Sequence, residues 1–155
     1  MKELKTFGVN QGEGKYYEEA IYSLALLYNL ISDDISAYLA KSNFTIGKFN
    51  VLMAIKHHGG QGGIPQVEVS KHLIVTPSNM TNMVDKLEAE GLVKRYPLEG
   101  DRRVNITKVT KKGSDLLDEL WPGYTELLRK QMEDLSKEKQ KALANLLAEW
   151  FEKRA

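Results

Sequence analysis

Four small uncharged polar side chains, Ser78, Asn79, Thr81 and Asn82, crowd into one short stretch of the chain. Hydroxyls and amides offer both hydrogen-bond donors and acceptors. Presented together on a helix face, such groups can pair with base edges in the major groove of DNA. Lys86 follows on the same face and offers a cation suited to a phosphate. Downstream, Lys94, Arg95, Arg102, Arg103, Lys108, Lys111 and Lys112 face only Glu99 and Asp101, a local charge of +5 in a chain whose total is +1. Positive charge concentrated in this way is the electrostatic footprint of phosphate contact.

These residues need particular elements to carry them. Thr76 can cap a helix, and Pro77 suits the first helical position, where no N–H is required. Met80, Met83, Val84 and Leu87 then recur at the spacing of one buried helix face. Gly91 ends the helix, and Leu92-Val93 can pack back on it. Val93 to Tyr96 reads as a strand, Pro97 to Asp101 as a turn-rich tip, and Arg102 to Val109 as the return strand. Thr110 caps the next helix. Upstream, Pro65 to Leu73 reads as a helix, and Ile74-Val75 as the turn that leads into the polar one.

A helix, a turn, a polar helix and a basic hairpin make a winged helix-turn-helix, and the detailed pattern resembles the MarR family of bacterial transcription regulators. The residues that carry the resemblance are Ser78, Thr81, Val84, Leu87, Glu90-Gly91-Leu92-Val93-Lys94-Arg95, Asp101-Arg102-Arg103 and Val109-Thr110-Lys111-Lys112-Gly113. Their order and spacing hold without a gap from Asp101 to Thr110, and the likeness extends from about Tyr16 to Phe151. Val69-Ser70 stands where the family more often has Leu-Ala, a mild departure with residues still small enough for close packing. The resemblance implies a mainly α fold with a small β-hairpin wing, one MarR-like domain over 1–155. Residues 45–110 would form the DNA-binding lobe, and 15–41 and 111–153 the dimerisation helices.

It also implies roles. A homodimer would set two recognition helices in successive major grooves, on a pseudo-palindromic site with half-sites about 34–36 Å apart. Ser78, Asn79, Thr81 and Asn82 would face the groove and Lys86 a phosphate. By the family's Asp-x-Arg pattern Arg103 would enter the minor groove, with Arg102 as the close alternative, drawn by the potential of a narrow groove. Asp101 would orient one of these arginines by a charge-assisted hydrogen bond. Many members of the family bind a small anionic or aromatic effector. Tyr28, Tyr38, Phe44, Phe49, Trp121 and Tyr124 are the residues able to line such a cavity, although aromatic residues at helical spacing more often pack in a core. Neither the effector nor the operator is written in the sequence.

The rest of the chain bounds the alternatives. Its 155 residues suit one domain with a real core. There is no cysteine, which excludes a disulfide framework and a thiol sensor in this chain. No signal segment or membrane-length apolar run is present, so the expected location is cytoplasmic. Met1 to Gly14, with three glycines and few apolar groups, reads as a loose arm. Lys15 to Lys41 is a long helix whose apolar stripe is too wide for one small domain to cover, and a second subunit would cover it. Thr45 caps a helix to about His57, and His57 to Gly63 reads as a flexible glycine-rich turn that lacks the pattern of a phosphate loop. His57 and His58 are neighbours that point to different helix faces, a poor chelate. After the wing, a helix from Thr110 to about Leu135 carries Pro122, where a kink is expected. Ser136 caps a last helix. Acidic residues outnumber basic ones from Gly113 onward, which turns that end from DNA. No catalytic constellation is visible, so no enzyme and no cofactor are expected. The competing reading is a winged-helix protein-interaction or metal-sensing module.

Overall fold

A computed structural model describes residues 4–9, 12, 14–73, 80–98 and 100–154, with 101–103 described by their backbone. The elements are α1 (Tyr16–Ala40), α2 (Ile46–Gly59), β1 (Ile64–Pro65), α3 (Gln66–Val69), α4 (Met80–Ala89), β2 (Val93–Leu98), β3 (Asp101–Val109), α5 (Lys111–Gln131) and α6 (Lys137–Glu152). Short 3-10 turns cover Leu4–Phe7 and Ser70–His72. The fold is mainly helical, with one antiparallel sheet in the order β1-β3-β2. Two compact units divide the chain, Met1–Trp121 and Pro122–Ala155.

Helix ends follow local chemistry. Thr45 caps α2, its side chain accepting from the Lys48 amide at 3.3 Å. α1 and α4 end on the same device. The Phe44 amide donates to the Leu39 carbonyl across Asn43, which has φ +52°. The Leu92 amide donates to the Leu87 carbonyl across Gly91, at φ +72°. Both are six-residue closures that satisfy the last helical carbonyls, with buried apolar pairs, Leu39 with Phe44 and Leu87 with Leu92, at their two ends.

α2 is the centre of the first unit. Phe49, Val51, Leu52, Ala54 and Ile55 are all buried, because α4 and β3 pack against it and α1, α3 and β1 touch it as well. Burying each large side chain of this set stabilises the fold by about 1.5–3 kcal/mol. An ion pair between Lys48 and Glu90 ties α2 to the end of α4.

Three expectations change. The glycine-rich stretch at the end of α2 is seated at its two ends: Gly59 is buried, and Gly63 has φ +80°. A Cβ on Gly63 would lie 2.6 Å from Ile106 Cγ2 and 2.8 Å from the Thr107 carbonyl oxygen. This close approach seats β1, where Ile64 and Pro65 pair with Thr107 and Ile106. Pro65 therefore belongs to a strand, and the helix expected over Pro65 to Leu73 shrinks to α3 and a 3-10 turn. The N-terminal arm is also structured in part. Val9 is buried, and the Gly12 amide donates to Glu19 Oε1 at 2.9 Å.

In the second unit Ser136 caps α6, its hydroxyl accepting from the Lys139 amide at 3.4 Å. α5 spans the boundary between the units and stays helical through Pro122. No helix among the described residues is long and apolar enough to cross a membrane.

Candidate nucleic-acid interface

The polar helix of the sequence is α4, and its two faces separate as the spacing requires. Met80, Val84 and Leu87 are buried, while Thr81, Asn82, Asp85 and Lys86 are exposed. Met83 is half-buried against α2, where the absence of a side chain on Gly47 makes room; a Cβ there would come within 2.8 Å of Met83 Cε. Ser78 and Asn79, with the cap Thr76, Pro77 and the turn Ile74-Val75, lie outside the described residues.

β2 leaves α4 through the Gly91 turn and runs back beside it. That path brings Arg95 onto the last turns of α4. Its amide donates to Glu88 Oε1 at 2.8 Å, its Nε to Glu88 Oε2 at 2.7 Å, and its Nη2 to Asp85 Oδ1 at 2.6 Å. The backbone amide and then the guanidinium of Arg95 hold the Glu88 carboxyl below the ordinary glutamate range, and Glu88 and Asp85 in turn raise the Arg95 guanidinium. Three of the basic residues counted along the hairpin have partners in the structure. Arg95 binds α4, Lys111 pairs with Asp115 of its own helix at 2.7 Å, and Lys112 donates to the Glu90 carbonyl at 2.8 Å.

On the other face of the sheet, Lys94 and Lys108 are direct cross-strand partners. Like charges in that position repel. Both ammonium groups lie over the exposed ring of Tyr96, at 5.4 and 5.6 Å from its centroid, and the π face offsets part of the repulsion.

Toward the tip the pairing shifts. Pro97 faces Asn105, but Leu98 faces Asp101, so residues 102–104 stand opposite a single step of β2. Pro97 lies on an edge strand, beside the irregularity, where its missing N–H is tolerated. Extra residues of this kind bend a strand and increase its local twist. Arg102 and Arg103 are carried on this stretch. Their side chains, that of Asp101 and the tip residue Glu99 lie outside the description.

The other candidates fall into place individually. Phe44 and Phe49 are core residues, and the Tyr38 hydroxyl donates to the Leu120 carbonyl at 2.8 Å. Tyr28 and Trp121 are exposed. His57 meets Trp121 edge to face, and His58 stacks on His72 with centroids 3.7 Å apart and planes within 8°. Parallel rings hold their nitrogen lone pairs in separate planes, a stacking geometry and not a chelating one.

One polar residue near the face gave no sequence signal. Gln66, the first residue of α3, donates from Nε2 to Thr81 Oγ1 at 3.2 Å. The two are fifteen positions apart, and only the fold brings them together.

The chain is 27% identical over 126 residues to the HTH-type transcriptional repressor MdtR of Bacillus subtilis, a match covering 81% of this chain and 79% of MdtR. Among solved structures it is similar to MepR of S. aureus in a DNA complex, at TM-score 0.76 and 20% identity over 85% of this chain and 96% of that one. It is also similar to BpsR of Bordetella bronchiseptica, whose DNA binding is regulated by 6-hydroxynicotinic acid, at TM-score 0.75 and 21% identity over 85% and 98% of the two chains. The MarR family model matches residues 44–104, from the residue that closes α1 into β3 of the wing, so this winged-helix segment is that of the MarR family.

Proposed function

We propose that this protein is a sequence-specific DNA-binding repressor that acts as a homodimer on a pseudo-palindromic operator and releases it in response to a small anionic or aromatic effector. The observation that carries the reading is α4 itself. Its exposed face offers Thr81, Asn82 and Lys86, and Arg95 fixes the wing strand to its far end. A helix that presents neutral donors and acceptors beside a basic hairpin fits a major groove flanked by phosphates. Ser78 and Asn79 extend that face in sequence, and Arg103, with Arg102 beside it, is the residue for the adjacent minor groove.

The homodimer is supported by apolar surface in both units. In α1, Tyr16, Ile21, Leu24, Leu27 and Leu30 are exposed; in α6, Leu146 and Phe151 are exposed. Large apolar side chains left exposed along a helix in this number are the mark of an association face. Repression is supported by the likeness to MdtR, DNA contact by the MepR complex, and effector control by BpsR.

The test is fluorescence anisotropy of the purified protein on DNA from upstream of its own gene, against scrambled DNA, across a salt series. Affinity that falls with salt and prefers the native sequence supports the reading. Absence of binding to either DNA at low salt, with no co-purified ligand, would overturn it.

A further inference from the structure

Resting on the DNA-binding reading above, we propose that Gln66 is a specificity-determining residue that biases Thr81 toward hydrogen-bond donation at the base edges. A threonine hydroxyl has one proton and two lone pairs, and its rotor turns to suit its neighbours. Here the Gln66 amide nitrogen, which can only donate, occupies one lone pair of Thr81 Oγ1 at 3.2 Å. The proton must then point away from Gln66. Thr81 is exposed on the polar face of α4 and Gln66 is half-buried at the start of α3. The backbone of Gln66 follows directly on β1, whose Pro65 pairs with Ile106, so the amide is delivered from a fixed element and not from a free loop. One lone pair of Thr81 Oγ1 stays free, but an oxygen that already accepts one hydrogen bond is the stronger donor, so the contact biases toward donation a reader that would otherwise accept or donate equally.

The chemistry of the partner follows. A donor in the major groove meets purine N7, guanine O6 or thymine O4, and is mismatched by the amino groups of cytosine and adenine. Gln66 thus sets the base preference at one position of each half-site without touching that base.

The experiment is selection from a random duplex library with the full-length protein, followed by sequencing. It compares wild type, Gln66→Ala, Gln66→Glu, Thr81→Val and the Gln66→Ala/Thr81→Val double variant, all checked for an unchanged thermal midpoint. Gln66→Ala is expected to reduce discrimination at one base pair per half-site by roughly fivefold, the size of one hydrogen bond, and to add nothing further on Thr81→Val. Gln66→Glu replaces the amide by an acceptor, takes the Thr81 proton, and should move the preference at that pair toward adenine or cytosine amino groups. An unchanged preference profile in Gln66→Ala would overturn the proposal, as would uniform weakening over all sequences. If wild type selects no sequence at all, it is the DNA-binding reading that fails.

Discussion

Arg95 and Glu88 meet twice, once through the Arg95 backbone amide and once through its guanidinium, so a single carboxylate grips both the main chain and the side chain of the wing. The recognition helix and β2 are thereby joined beyond the Gly91 turn. Asp85 completes the grip from one turn earlier on α4. Charge-assisted hydrogen bonds of this type are worth about 1.5–3 kcal/mol each when well formed, and less where water reaches them. Arg95→Ala should lower unfolding stability by about 1–3 kcal/mol and leave two acidic groups unbalanced beside the exposed polar face of α4. Arg95→Lys should rescue little, because an ammonium cannot reach two carboxylates with a planar fork. Urea denaturation and DNA titration of both variants check this.

The same contact carries a pH signature. Arg95 holds Glu88 below its ordinary value, near 4.5. A carboxyl whose folded value is depressed contributes stability that is complete above the unfolded value and is lost as pH falls toward the folded one. Stability should therefore decline below about pH 4.5, and Glu88→Gln should flatten that part of the curve. Chemical denaturation from pH 7 to pH 3 measures the difference; parallel curves for the two proteins would refute it.

Thr107 faces the core from the middle strand, fully buried, and its Oγ1 has no hydrogen-bond partner among the described residues. An unpaired buried hydroxyl costs about 1–3 kcal/mol of desolvation. Valine has the same shape without that cost. Thr107→Val should stabilise the protein by about 1 kcal/mol, read as a rise in thermal midpoint. A fall in the midpoint would mean that the hydroxyl is paired.

Ile21 of α1 and Leu146 of α6 are 52% and 65% exposed, a costly state for side chains of this size in water. If a second copy covers them, Ile21→Glu or Leu146→Glu should shift the protein from dimer to monomer in sedimentation, and should weaken binding to a two-half-site DNA far more than to a single half-site. A wild-type protein that sediments as a monomer would remove the dimer from the functional reading.

The elements legible in the sequence are those specified by near neighbours. Thr45, Ser136 and Gly91 mark helix boundaries through contacts within a few residues, and the buried face of α4 is written in a simple period. β1 was not legible, because two residues show no periodicity and their pairing depends on a glycine pressed against β3. The site divides in the same way. The polar residues of α4 stand out by type, but the commitment of Arg95 to Glu88 and the contact of Gln66 with Thr81 exist only after packing. Charge counted along the wing does not reveal that Arg95 is met by Glu88 and Asp85, since those carboxylates sit on another element.

Leu92 closes α4, and its carbonyl also accepts the Thr110 amide at 3.0 Å. Gly113, in the first turn of α5, passes so near that a Cβ there would stand 2.2 Å from the same oxygen. One residue is thus, through its amide, the last fastening of α4 and, through its carbonyl, the bearing surface of α5. In a close-packed interior such a bearing has no slack. The first turn of α5 and the last turn of α4 share a pivot, and neither can tilt without carrying the other.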